Sequence, residues 1–282
     1  MSFSQGYTVD PPSYTAPAQP NKKYGSTVDS SAQEPLLAGE GAAPRDAWAE
    51  EGEEEELEDD FKIGATVSQS AVEIRQSFVR KVYAVLSVQI LATTLVGFVM
   101  RQAAIVDWTR THPGLMLIPA LGAIAAMLAT FWKRHSSPAN VLLLGLFTLF
   151  EAVTLGSTVS YVDSGVVLQA LVATSLVFVG LTIFTFQSKY DFSHMGTYLY
   201  AGLLGFFFVS LVGIFLPYNS TWDIFMAGLG VLLFSAYIVF DTHMLINRLH
   251  VDDWVVAVIS LYLDILNLFL QILRLLSDAQ DR

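Results

Sequence analysis

Cysteine is absent from all 282 residues. No disulfide, zinc-thiolate centre or thiol nucleophile can be built from this chain, and the redox state of its compartment leaves no mark on it. Charge is scarce as well: Asp, Glu, Lys and Arg make up 15% of the residues, against about 25% in soluble domains. Hydrophobic residues make up 53%, and mean hydropathy is +0.50. That balance points to lipid as the solvent for most of the chain. With 15 bases against 26 acids, the chain has no basic surplus for a nucleic-acid partner.

The net charge of −11 is not spread evenly. Residues 1–74 hold 15 acids and 4 bases and so carry all of it, while residues 75–282 balance at 11 and 11. The first 74 residues are rich in Pro, Ser, Gly and Ala and include an acidic run from Glu50 to Asp60. Such a segment has too little apolar surface to offset the entropy of ordering, so an acidic disordered tail is expected. Residues 1–30 contain no apolar run of the kind a cleavable signal needs, and targeting is expected to fall to the first membrane span.

Residues 75–282 read as one membrane domain, an all-α bundle of seven spans. The apolar runs are Val82–Met100, Gly114–Trp132, Ala139–Ser160, Gly165–Phe186, Thr197–Leu216, Trp222–Asn247 and Trp254–Leu276, each about long enough to cross ~30 Å of hydrocarbon. Trp132, Tyr161, Trp222 and Trp254 sit at span ends, where amphipathic rings favour headgroup depth. With the N-terminus in the cytosol, Arg75, Arg80, Lys81, Lys133, Arg134, Lys189 and Arg248 lie inside, and Arg101, Arg110 and Arg282 outside. This bias predicts a cytosolic N-terminus and a lumenal C-terminus. A re-entrant last segment would instead return the C-terminus to the cytosol. The sequon Asn219-Ser220-Thr221 falls in a very short outer loop and reads as a chance match.

Three carboxylates interrupt the apolar runs: Glu151 in span three, Asp241 in span six and Asp264 in span seven. Each costs about 2.5–3.5 kcal/mol at the bilayer centre on insertion scales. None has an opposite charge one turn away in its own span, so they must face other helices, water or each other. In span seven, Ser260, Asp264, Asn267, Gln271, Arg274 and Asp278 are spaced three or four apart and form one polar stripe, which lines the bundle core or a water-filled path. Thr148, Glu151, Thr154 and Thr158 form a weaker face on span three. Antiparallel neighbours could bring Asp241 and Asp264 close enough to share a proton and titrate as a pair. Such a pair is a pH sensor, a cation site, or both. Ca²⁺ suits it, because that ion prefers carboxylate and carbonyl oxygens, with water completing its shell.

Five colinear segments carry a resemblance. They are Val82–Gln89 (VYAVLSVQ), Phe147–Ala152 (FTLFEA), Phe184–Phe192 (FTFQSKYDF), Phe234–Thr242 (FSAYIVFDT) and Leu261–Leu270 (LYLDILNLFL). Together they resemble the Bax-inhibitor family, in its lifeguard branch, over about residues 75–276. The resemblance implies an endomembrane protein (endoplasmic reticulum, Golgi or vacuole) that leaks Ca²⁺ from the lumen and dampens cell death, with cell-death regulators as partners. It also implies that Asp241 and Asp264 form the proton-sensitive gate and that Arg134 locks one of them by pairing. From the polar faces of spans three and seven, Glu151, Asn267 and Gln271 would line the ion path. The chain would be no enzyme and would hold no resident cofactor, Ca²⁺ being only the permeant ion.

Two other seven-span readings fail on sequence. An intramembrane aspartyl protease needs Gly-x-Gly-Asp at its second aspartate, where this chain has Leu261-Tyr262-Leu263-Asp264. A G-protein-coupled receptor would place the N-terminus outside, against the charge bias. A non-conducting scaffold with structural aspartates remains the alternative. In the tail, Pro11-Pro12-Ser13-Tyr14 fits a WW-domain ligand, in which Pro11, Pro12 and Tyr14 dock as a polyproline II segment, so a WW-domain ubiquitin ligase is an expected partner.

Overall fold

A computed structural model describes residues 66–68, 72–213, 215 and 219–280. The tail motif of Pro11, Pro12 and Tyr14 and the acidic run lie outside these residues. Among the described residues eight α-helices follow in order: α1 Val72–Met100, α2 Ala103–Thr111, α3 Leu117–Trp132, α4 Ala139–Val159, α5 Ser164–Gln187, α6 Met195–Gly213, α7 Ser220–Asn247 and α8 Trp254–Gln280. All except the short α2 are long and apolar enough to cross a membrane; α3, α6 and α8 are each led in by a 3-10 turn. The seven expected spans are therefore present.

Their ends differ from the hydropathy runs in instructive ways. Helix α1 starts at Val72, ten residues before its apolar run, because Arg75, Arg80 and Lys81 interrupt hydropathy without interrupting a helix. The domain boundary expected at residue 74 therefore falls inside α1. Just before it, the Val67 amide donates to the Leu249 carbonyl at 2.9 Å, the Ser68 hydroxyl donates to the Asn247 carbonyl at 3.0 Å, and Val67 is fully buried. Helix α2 was not expected. Its nine residues are too few to register as a hydrophobic run, and they lie in the connection from α1 to α3.

Helix α8 is the axis of the bundle. Two-thirds of its apolar window is buried (67%), against 6% for the peripheral α6. Helices α1, α5 and α7 pack around it, while α4 packs mainly on α1, α3 leans on α4 and α6 on α7. Lipid-facing positions are large and apolar, among them Leu95, Leu128, Leu176 and Leu232. Burial between helices is not driven by hydrophobicity in a membrane, so polar contacts and close packing do more of the joining. Two such contacts tie α1 inward: the Gln89 amide donates to the Thr148 hydroxyl at 2.6 Å, and the Thr93 and Tyr262 hydroxyls meet at 2.7 Å. Tyr262 is fully buried and stacks edge-on to Phe147, with centroids 5.7 Å apart.

Candidate functional site

Helices α7 and α8 are consecutive and joined by a short turn through Val251–Asp253, which makes them antiparallel neighbours. They form the most extensive helix pair in the structure. The polar stripe of α8 runs along this seam. Arg274 pairs with Asp223 in the first turn of α7. Gln271 packs on Gly230. Near the other end, the Asp264 carboxyl lies beside the Asp241 carboxyl across the seam, with Ser260 close to Asp241. Of the two alternatives for the stripe, core or water path, it faces a neighbouring helix.

Asp264 is 6% exposed and Asp241 is half-buried. None of the ion pairs among the described residues involves either. Asp264 Oδ2 is buried with no donor on it among the described residues. Two facing carboxyl groups offer only acceptors unless a proton lies between them, so the geometry suits one shared proton. Among the described residues no third carboxylate or imidazole joins them to make a metal cluster.

The remaining site residues are more dispersed. Asn267 donates to the Leu263 carbonyl of its own helix at 2.8 Å. Gln271 Oε1 is buried on the seam without a donor among the described residues. Glu151 is half-buried on α4 and close enough to Tyr262 to interact with it electrostatically. The hydroxyls beside it donate within their own helix, Thr148, Thr154 and Thr158 to the carbonyls of Leu144, Phe150 and Thr154, while Thr148 also accepts from Gln89. Asn219 of the sequon caps α7, accepting from the Thr221 and Trp222 amides at 3.0 and 3.2 Å.

Arg134 does not meet Asp241 in this structure. Its Nε lies 3.4 Å from Asp253, in the turn that joins α7 to α8, with His135 3.7 Å from the same oxygen. Other contacts gather at this end of the bundle. Asp191, in the link between α5 and α6, reaches Arg248 at 3.2 Å and His243 at 3.6 Å. The Ser193 hydroxyl and amide donate to Asp191, and with Arg248 beyond them they hold its carboxyl down at about 2. Lys81 lies 4.1 Å over the Trp254 ring. Sequence reasoning missed Asp253 and Asp223, since a charge at a span end signals nothing until its partner is known. Asp191 lies in the segment FTFQSKYDF, where the sequence alone marks no partner for it.

Residues 75–281 match the family model described as inhibitor of apoptosis-promoting Bax1. This chain belongs to the Bax-inhibitor family. It is 41% identical to Protein lifeguard 4 of Mus musculus over 228 residues, which is 80% of this chain and 95% of that protein. Against the Golgi anti-apoptotic protein of Vaccinia virus (strain Lister) it is 42% identical over 230 residues, again 80% of this chain and 95% of the relative. Bax inhibitor 1 of Schizosaccharomyces pombe is 36% identical over 224 residues, covering 79% of this chain and 84% of that protein. The tail ahead of residue 75 lies outside the family match.

Proposed function

We propose that this Bax-inhibitor protein is a pH-dependent Ca²⁺ leak of an intracellular membrane and that it suppresses cell death. The names of its relatives support the second half, and the viral relative's name supports a Golgi or other endomembrane setting. The leak rests on one observation, the apposition of Asp241 and Asp264 across the α7–α8 seam with no cationic partner among the described residues. With one proton shared, the pair closes the seam. With both carboxylates ionised, repulsion in a low-dielectric setting favours separation of the helices or capture of a cation. A passing Ca²⁺ would draw its remaining ligands from carbonyls and water. Arg134 would steady the gate from the turn, through Asp253. No catalytic step is involved.

The test is Ca²⁺ entry into calcium-free proteoliposomes. The Asp241→Asn/Asp264→Asn double variant should lose regulated flux. A non-conducting scaffold is the second reading, favoured by the tight Gly230–Gln271 contact, which brings the two helices together at that point of the seam. Absence of flux from the wild-type protein at any pH would select it. For the tail, a WW-domain ubiquitin ligase is proposed to bind Pro11, Pro12 and Tyr14 and to modify Lys22 or Lys23. Unchanged ubiquitination in Tyr14→Ala would remove that partner.

A further inference from the structure

On the face of α8 opposite the polar stripe lies a slot of 430 Å³. Helices α1 and α5 both pack on α8 but barely touch each other, and the slot is the gap between them, floored by α8 and α4. Its lips are exposed apolar side chains, Phe98 on α1 and Leu168 and Val179 on α5, so it opens sideways toward lipid and not toward water. Along α1 it runs from Ile90 to Arg101, about 16 Å at ~1.5 Å per residue. That is about half of a ~30 Å hydrocarbon core, the depth of one leaflet. Gly97 supplies part of the space, because a Cβ there would meet nothing within 4 Å.

Arg101 closes the headgroup end of the slot. Its Nη1 donates to the carbonyls of Val159 and Val162, both at 3.0 Å, which fixes the guanidinium at the C-terminal end of α4. These bonds leave the donors on Nη2 and Nε for something else. Arg101 is half-buried, yet no ion pair among the described residues includes it. Nearby Asp163 turns back on its own helix, accepting from the Gly165 amide at 2.8 Å. Ser164, the first residue of α5, also lines the slot. A half-buried cation without a carboxylate calls for an anion.

We propose that the slot binds one acyl chain of an anionic phospholipid, with the lipid phosphate on Arg101, in the leaflet opposite the one that faces Arg75 and Arg80. An apolar bed one leaflet deep, a sideways opening and a cationic mouth each match one part of that molecule. A zwitterionic headgroup would bring a second cation to the same mouth and bind less well.

The experiment delipidates the full-length protein in detergent and offers phosphatidylglycerol or phosphatidylcholine with identical chains, counting bound lipid by native mass spectrometry. The wild-type protein should prefer phosphatidylglycerol by about tenfold, the order set by one charge-assisted contact. Arg101→Gln should erase the preference, and Arg101→Lys should keep part of it. Gly97→Leu should lose both lipids, since the new side chain has room only by filling the slot. If Arg101→Gln fails to fold, the Lys and Gly97 variants decide. Equal retention of the two lipids by the wild type, or full retention by Gly97→Leu, would overturn the site.

Discussion

Gln271 of α8 lies so close over Gly230 of α7 that a Cβ at position 230 would come 2.7 Å from its Cγ and Cδ. The missing side chain on one helix makes the bed for a polar side chain of the other, and the seam closes there.

Gly230→Ala should therefore push Gln271 aside and cost about 1–3 kcal/mol, the usual range for overpacking. Gln271→Ala should relieve that clash, so the double variant should be more stable than Gly230→Ala alone. Thermal unfolding in detergent measures both. Additive losses would show that the two residues do not press on each other.

Asp191 gives a pH dependence with a defined sign. Its carboxyl is held at about 2, below the ordinary 3.8, by Ser193 first and Arg248 after it. A depressed carboxylate contributes stability above its ordinary value and loses it as pH falls through the folded one. Asp191→Asn should thus lower the Tm at pH 7 and pH 5 alike, and its deficit should shrink only below about pH 4. A deficit already gone at pH 5 would mean that the carboxylate is not the group at work.

Orientation follows from the seven-against-three placement of Lys and Arg. Tags at the two termini, tested by protease protection in sealed vesicles, should show the N-terminal tag digested and the C-terminal tag protected. A protected N-terminal tag reverses the orientation. Digestion of both would make α8 re-entrant.

The stripe on α8 was legible in the sequence because six polar residues at helical spacing cannot all face lipid. Asp241 was legible for the same reason of cost. What faced the rest of the stripe was not. Gly230 carries no signal as a glycine in an apolar helix, and Asp223 reads as an ordinary charge near a span end until Arg274 is seen beside it. Arg134 was assigned an aspartate as partner, and the one it meets is Asp253, because its reach is set by how the loops fold over the α7–α8 turn. The slot beside α8 was invisible, since it is made by two helices not touching.

The measurement that bears most directly on the gate is Ca²⁺ entry into proteoliposomes followed from about pH 6 to pH 8, across which a coupled carboxylate pair can exchange its shared proton. Wild-type flux should rise with pH as the proton leaves. Asp241→Asn and Asp264→Asn should each flatten the profile, and Glu151→Gln should change the amount of flux more than its pH response. A double Asn variant that kept both wild-type flux and the wild-type profile would contradict the shared-proton gate and leave the two aspartates as structural parts of the seam.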